Sequence, residues 1–216
     1  MRASRIGPFR ALLILMTCML SGVALADAET WSYELRLPEG DGPFPVVIFL
    51  PGCTGYGPME VRAAADKHAA LLNRHGYAVA LLDLLVPRGL DSICTELFWF
   101  DRMRTEGPRD VAAAAADLAQ NPQIEPDRIG FMGQSFGGSM ALEIASVASR
   151  KRAGVEPPIV KTAVAYYPYC YGAYGGGGTV DFDVPVLIMT GALDDWTPVS
   201  LCTRFPQKDP AVTLQI

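Results

Sequence analysis

Residues 129–138 read Ile-Gly-Phe-Met-Gly-Gln-Ser-Phe-Gly-Gly, an apolar run that enters Gly-x-Ser-x-Gly. An apolar strand, a sharp turn and a helix in that order lift the turn's serine clear of the sheet. The turn strains the backbone at Ser135, so its neighbours must be small. Gly133 and Gly137 supply that smallness, and Gly138 lets the next helix pack close. The bare five-residue pattern also arises by chance as a Ser/Gly turn. Here a β-rich run precedes it and a helical run, Ser139 to Arg150, follows it, which is the context a nucleophile elbow requires. The Phe136 N–H would then stand at a helix N-terminus beside the serine.

Outward from the elbow, short apolar runs alternate with helical stretches. Trp31 to Leu37 alternates as an edge strand does. Val46 to Leu50, Tyr77 to Leu84, Val160 to Tyr167 and Val184 to Thr190 read as strands, and Ala211 to Ile216 begins another. Glu60 to Arg74 is an Ala-rich helix stopped by Gly76. Val86 to Arg104 reads as irregular, Gly107-Pro108 as the opening of a helix running through Gln120, and Pro198 to Phe205 as a short helix. This alternation predicts a doubly wound, mostly parallel α/β sheet. The 216 residues suggest one domain, and half of them are hydrophobic, enough for a substantial core. We find no internal repeat, and read Gly172 to Gly178 as a solvent loop.

The first 26 residues differ from the rest. Arg2, Arg5 and Arg10 precede an apolar run, Ala11 to Val23, and Ala24-Leu25-Ala26 forms a cleavage signal. This predicts a secretory signal peptide over 1–26 and a mature domain from Asp27. The run is short for a membrane span, so no stable membrane insertion is expected after cleavage. Thr17 before Cys18 is bulkier than a lipidation site prefers. The expected location is the periplasm or the medium. The whole chain carries a formal charge of -5 and its body has no basic cluster, which argues against nucleic acid as a partner. Four cysteines follow the signal: Cys53, Cys94, Cys170 and Cys202. An even number in an oxidising compartment suggests two disulfides; of three possible pairings we favour Cys53–Cys94 with Cys170–Cys202. The four are too dispersed for a zinc pattern, and no metal or organic cofactor is implied.

In a doubly wound sheet, ligands bind beyond the carboxyl ends of the strands. The loops there carry Cys53, Arg88, Ser135, Tyr169 and Asp194. A serine nucleophile needs a base, a group that orients the base, and donors for the developing oxyanion. Asp194, in Gly191-Ala-Leu-Asp-Asp-Trp-Thr-Pro198 after a strand, fits the orienting acid. Asp195 competes for that role, and a plain turn or capping aspartate is the alternative for Asp194.

Several stretches together resemble the dienelactone hydrolase family of α/β-hydrolases, from about Leu37 to the last residue. They are Leu-Pro-Glu-Gly at 37–40, Pro-Phe-Pro-Val-Val-Ile-Phe-Leu at 43–50, Pro-Gly-Cys-Thr-Gly at 51–55 and Val-Pro-Arg-Gly at 86–89. Gly-Gln-Ser-Phe-Gly-Gly at 133–138, Ala-Tyr-Tyr-Pro at 165–168 and the Asp194 loop complete the set. The resemblance implies an α/β-hydrolase fold and cleavage of a small-molecule carboxylic ester or lactone through an acyl-enzyme. The namesake enzymes use a cysteine nucleophile where this chain has Ser135, which favours a broader ester hydrolase. The oxyanion donors would be the Phe136 and Cys53 amides, since Pro51 has no N–H; Cys53 also reads as a disulfide partner. Arg88 is a candidate for a substrate carboxylate, such as the family's lactones carry, or for an ion pair with Asp91 or Glu96. Tyr169 and Trp196 would line an apolar acyl pocket, or belong to the core.

The base is the missing part. The two histidines, His68 and His75, precede Ser135 and lie on a helix that leaves the active rim. The family's catalytic histidine follows the strand after the acid, whereas this sequence stops at Ile216, 22 residues past Asp194. The expectation is therefore a C-terminally incomplete member of an active family, with impaired turnover and a sheet apparently cut at its last strand. A non-catalytic pseudo-hydrolase, binding a small molecule on the same fold, is the alternative.

Overall fold

A computed structural model describes residues 30–157, 159–170, 181–203, 205 and 211–216. The signal peptide expected over 1–26 and the Gly172–Gly178 run lie outside the described residues. Seven strands form one sheet: β1 (Ser32–Arg36), β2 (Phe44–Leu50), β3 (Ala78–Asp83), β4 (Ile124–Gln134), β5 (Ala163–Tyr166), β6 (Val186–Met189) and β7 (Val212–Gln215). Their spatial order is β1-β3-β2-β4-β5-β6-β7. Only β1 runs antiparallel, against β3; the other five pairings are parallel. This is the mostly parallel α/β sheet that the alternation of apolar runs predicts.

Four helices flank it: α1 (Met59–Arg74), α2 (Leu97–Leu118), α3 (Phe136–Ala145) and α4 (Val147–Ala153). Side chains alternate across each strand and divide the core in two. On one face Ala65 and Ala69 of α1 pack on Phe49, Val79, Leu81 and Met132. On the other, α2 and α3 cover Val46, Ile48, Leu50, Ile129 and Phe131. Alanines on α1 let the helix lie close to the sheet.

Two helix boundaries differ from the sequence reading. Gly107-Pro108 does not open α2; the helix begins ten residues earlier, at Leu97, and Pro108 lies inside it. A Cβ on Gly107 would overlap Met140 Cε and sit 2.9 Å from its Sδ. Gly107 is thus a contact point that lets α2 and α3 approach, not a start signal. The second difference is at Ser146. The helix expected to reach Arg150 breaks there, because Ser146 turns extended (φ -78, ψ 124) and its side chain accepts from the Ser149 N–H as the cap of α4. The buried Arg150 guanidinium satisfies the carbonyls of Ile144 and Ala145 at the end of α3, at 2.7 and 3.1 Å, and pairs with Asp183 at 2.5 Å.

Candidate active site

The site is built where β4 turns into α3. Ser135 caps α3 with φ 52 and ψ -111, one of two non-glycine residues at positive φ among the described residues. Such a backbone is costly and persists only where its surroundings enforce it. They do so here by close packing. A Cβ on Gly133 would overlap the Gly137 carbonyl, one on Gly137 would overlap the Leu50 carbonyl, and one on Gly138 would lie 2.6 Å from the Tyr166 oxygen. The Ser135 N–H donates to Tyr166 O at 2.9 Å and the Gly137 N–H to Pro51 O at 3.1 Å, so the turn is stitched to β5 and to the loop after β2. Ser135 itself stays partly exposed.

The loop after β2 stands against this turn. A Cβ on Gly52 would lie 3.5 Å from Ser135 Cβ. Cys53 is bonded to Cys94, and its carbonyl accepts from the Ile93 N–H at 2.8 Å. The loop that carries the second candidate donor is therefore held from both its side chain and its backbone. Cys170 pairs with Cys202, completing the two disulfides favoured from sequence. Phe136 opens α3, where the first N–H groups lack intrahelical acceptors. Its ring meets Phe100 of α2 edge to face, with centroids 5.5 Å apart.

Asp194 lies in the loop after β6. Its Oδ1 accepts from the Trp196 and Thr197 amides at 3.0 and 2.8 Å, and its Oδ2 from Thr197 Oγ1 at 2.6 Å. Those bonds, Thr197's hydroxyl first, hold its pKa below the usual carboxylate value. The group is therefore a fixed anion whose Oδ2 still has room for another donor. Asp195, the competitor, is exposed. Tyr167, the second residue at positive φ, follows β5 and donates its N–H to Met189 O at 2.6 Å. Its phenol is pushed up by burial and next by the charge of Asp194. That field links the acid loop to the strand end that holds Ser135.

The remaining candidates fare differently. Arg88 is turned inward, its side chain only 6% exposed. It pairs with Asp110 at 2.5 Å and Glu106 at 3.4 Å and donates to Leu84 O at 2.9 Å and to Thr30 O. This corrects the ion pair read from sequence: its partners are on α2 rather than Asp91 or Glu96, and the guanidinium is buried with them. The cause is the 3-10 turn at Val86–Arg88, which folds the side chain back under the loop. Burial dominates at Asp110 and raises its pKa despite Thr30 and Arg88. Tyr169 and Trp196 are exposed at the rim, and the Tyr169 N–H donates to Ser139 Oγ at 3.0 Å. Ser139 in turn lies 3.2 Å from the Ser135 carbonyl, a brace that the Gly-x-Ser-x-Gly pattern does not include. His75 caps the end of α1. His68 is tied to Ala64 O at 2.8 Å and stacks on Phe49 at 5.5 Å, under the sheet.

A mostly parallel sheet with a strained serine between strand and helix defines an α/β-hydrolase fold, and solved structures agree. The 2,6-dihydroxy-pseudo-oxynicotine hydrolase superposes with TM-score 0.61 at 19% identity, covering 85% of this chain and 56% of that one, so this chain spans just over half its length. An alpha-beta serine hydrolase homologue from Coxiella burnetii gives 0.60 at 16%, covering 86% and 80%. A thermophilic esterase from Thermogutta terrifontis gives 0.61 at 14%, covering 86% and 75%. The model of the dienelactone hydrolase family matches residues 34–211, and the chain belongs to that family. No curated protein matches the sequence. Among the described residues no helix is long and apolar enough to cross a membrane, and no group of His, Cys, Asp and Glu is placed to hold a metal ion.

Proposed function

We propose that this protein is a serine hydrolase of carboxylic esters or lactones. Ser135 Oγ attacks the ester carbonyl carbon, and the Phe136 and Cys53 amides hold the oxyanion. The alcohol leaves with the proton given up by the serine, and water then releases the acid from the acyl-enzyme. Asp194 is the acid that would orient a base. The observation that carries this reading is the enforced positive φ of Ser135 at the head of α3, with the loop of Gly52 and Cys53 against it. Strain held by surrounding backbone at a partly exposed serine supports a role in chemistry rather than in stability. His68 and His75 are engaged elsewhere, so no base is assigned among these 216 residues. That observation favours a second reading, a small-molecule binding protein on the same fold.

Release of p-nitrophenol from p-nitrophenyl butyrate, with Ser135→Ala as control and intact mass as a second readout, separates the two. A butyryl adduct confined to the wild type supports the hydrolase. Equal rates and no adduct support the binding protein. We further propose export with cleavage after Ala26, which two disulfides and the N-terminal sequence support. N-terminal sequencing of the exported protein should begin at Asp27.

A further inference from the structure

Ser139 does more than complete a turn of α3. Its N–H and its hydroxyl both donate to the Ser135 carbonyl, at 2.8 and 3.2 Å. A carbonyl oxygen has two lone pairs, and Ser139 supplies a donor for each. The same hydroxyl accepts from the Tyr169 N–H at 3.0 Å. An oxygen that accepts from Tyr169 turns its own proton toward Ser135 O, so its rotor is set from outside the helix.

The donor in that bond is itself fixed. Two residues before it, Tyr167 gives its N–H to Met189 O at 2.6 Å; one residue after it, Cys170 is bonded to Cys202. Pro168 lies between, its Cα 3.4 Å from where a Cβ on Gly138 would stand. Cys202 closes the 3-10 turn Val199–Leu201, which follows the Asp194 loop. The loop after β5 is thus pinned to the end of β6, to the chain beyond the acid and to the head of α3.

The Ser135 carbonyl belongs to the peptide unit whose other end is the Phe136 N–H. That unit is planar and trans, so its C=O and N–H point in opposite directions. Holding the oxygen against Ser139 therefore directs the Phe136 N–H out of the head of α3, where the helix offers it no acceptor. We infer that Ser139 is a positioning residue for the oxyanion: it aims the Phe136 amide by holding the far end of the same peptide, and the loop after β5 sets its hydroxyl. The inference rests on Ser135 as the nucleophile and the Phe136 amide as an oxyanion donor. A donor aimed before charge develops favours the transition state over the substrate, so loosening it lowers kcat and leaves KM. Ser139's own N–H stays bonded in any variant. The loss is then a fraction of the roughly 100-fold or more that removing an oxyanion donor costs.

The test measures kcat and KM for p-nitrophenyl butyrate, and the Ki of butaneboronic acid, whose tetrahedral serine adduct mimics the transition state. Wild type, Ser139→Ala and Ser139→Thr are compared after subtraction of the Ser135→Ala rate. Alanine suits a half-buried helix position, and circular dichroism checks the fold. We expect Ser139→Ala to lower kcat about fivefold with KM within about twofold of wild type, and to weaken the boronate by about the same fivefold. Ser139→Thr keeps a hydroxyl that can bond the carbonyl four residues back, and should restore most of both. A kcat that Ser139→Ala leaves unchanged overturns the inference, as does a loss confined to KM or one that Ser139→Thr shares in full. A slower rate with the boronate unaffected also overturns it, because Ser139 would then act elsewhere than on the oxyanion. Failure of Ser139→Ala to fold overturns it too, since the residue would then be structural. A wild type that cleaves the ester no faster than Ser135→Ala overturns the inference together with the reading it rests on.

Discussion

In β3, Ala78 to Leu82 are all buried, and in β4 Phe131 to Gly133 are too; in β5 and β6 every second residue is half-exposed. The first half of the sheet is covered on both faces, by α1 on one side and by α2 and α3 on the other. In the second half, Val164, Tyr166, Leu187 and Met189 face the α1 side with only partial cover among the described residues. The nucleophile rises from the doubly covered half and the acid from the singly covered one. The two chemical groups therefore rest on supports of different kinds. Ser135 is held by backbone against backbone, where no alternative conformation fits. Asp194 is held by hydrogen bonds within its own loop.

The sharpest way to break this contrast is at Gly137. Its Cβ would meet the carbonyls of both Leu50 and Pro51, and neither can yield without dislodging β2. Gly137→Ala should cost at least about 4 kcal/mol, near the limit for single substitutions, read as the urea midpoint or as failure to fold. Next comes a matched pair across the two halves. Phe49, fully buried in β2, should cost about 3–5 kcal/mol on change to Ala. Leu187→Ala in β6 removes a side chain that is only partly buried and should cost about 1–2 kcal/mol. Similar costs at both positions would show that the second half is covered as fully as the first.

Arg88 offers a third comparison, between a charge inside and a charge at the rim. Arg88→Met leaves Asp110 buried without its guanidinium, which should cost about 3–5 kcal/mol at neutral pH. The sign of the pH dependence follows from Asp110's raised folded pKa. The unfolded carboxyl ionises near pH 4 while the folded one still holds its proton. Stability therefore falls as pH rises from about 4 through the folded pKa, and is level above it. Losing Arg88 raises that folded pKa further, so the variant should approach wild type near pH 4 and diverge from it as pH rises. Thermal melts across pH 4 to 8 check this.

How much could be read from the chain alone follows the same division. The elbow was legible because sterics admit almost no residue but glycine at 133, 137 and 138. The strands and most of the helices were legible from apolar runs and their spacing. Two disulfides were legible from the even cysteine count, but strand-end positions left all three pairings open. What stayed hidden were contacts whose cause lies far along the chain. Gly107 reads as a helix breaker unless one knows that Met140 presses against it. Ser146 ends α3 because it caps α4 while Arg150 closes the preceding carbonyls, and no local signal separates that from continued helix. Arg88 looked like a rim cation because its sequence neighbours are at the rim; only the turn at Val86–Arg88 sends it inward. Ser139 fell outside the five-residue motif, although its spacing of one helical turn from Ser135 was a usable signal.

The smallest effect on stability belongs to Asp194, and it carries the most information about role. Its folded pKa is lowered, so its contribution is complete above the unfolded value of about 4 and is lost as pH falls through the folded one. Asp194→Asn keeps an acceptor for the Trp196 and Thr197 amides and gives up the anionic Oδ2 that accepts from Thr197 Oγ1. At pH 7 the loss should be about 1 kcal/mol, because the group is only partly buried and keeps its backbone donors. Once pH has fallen below that folded value the variant and the wild type should converge. A turn aspartate predicts only that stability change. An acid that orients a base predicts in addition a fall of about 100-fold or more in Ser135-dependent ester cleavage, with the fold intact by circular dichroism. If stability moves as stated and the rate does not, Asp194 is a loop clasp, and the singly covered half of the sheet contributes scaffold rather than chemistry.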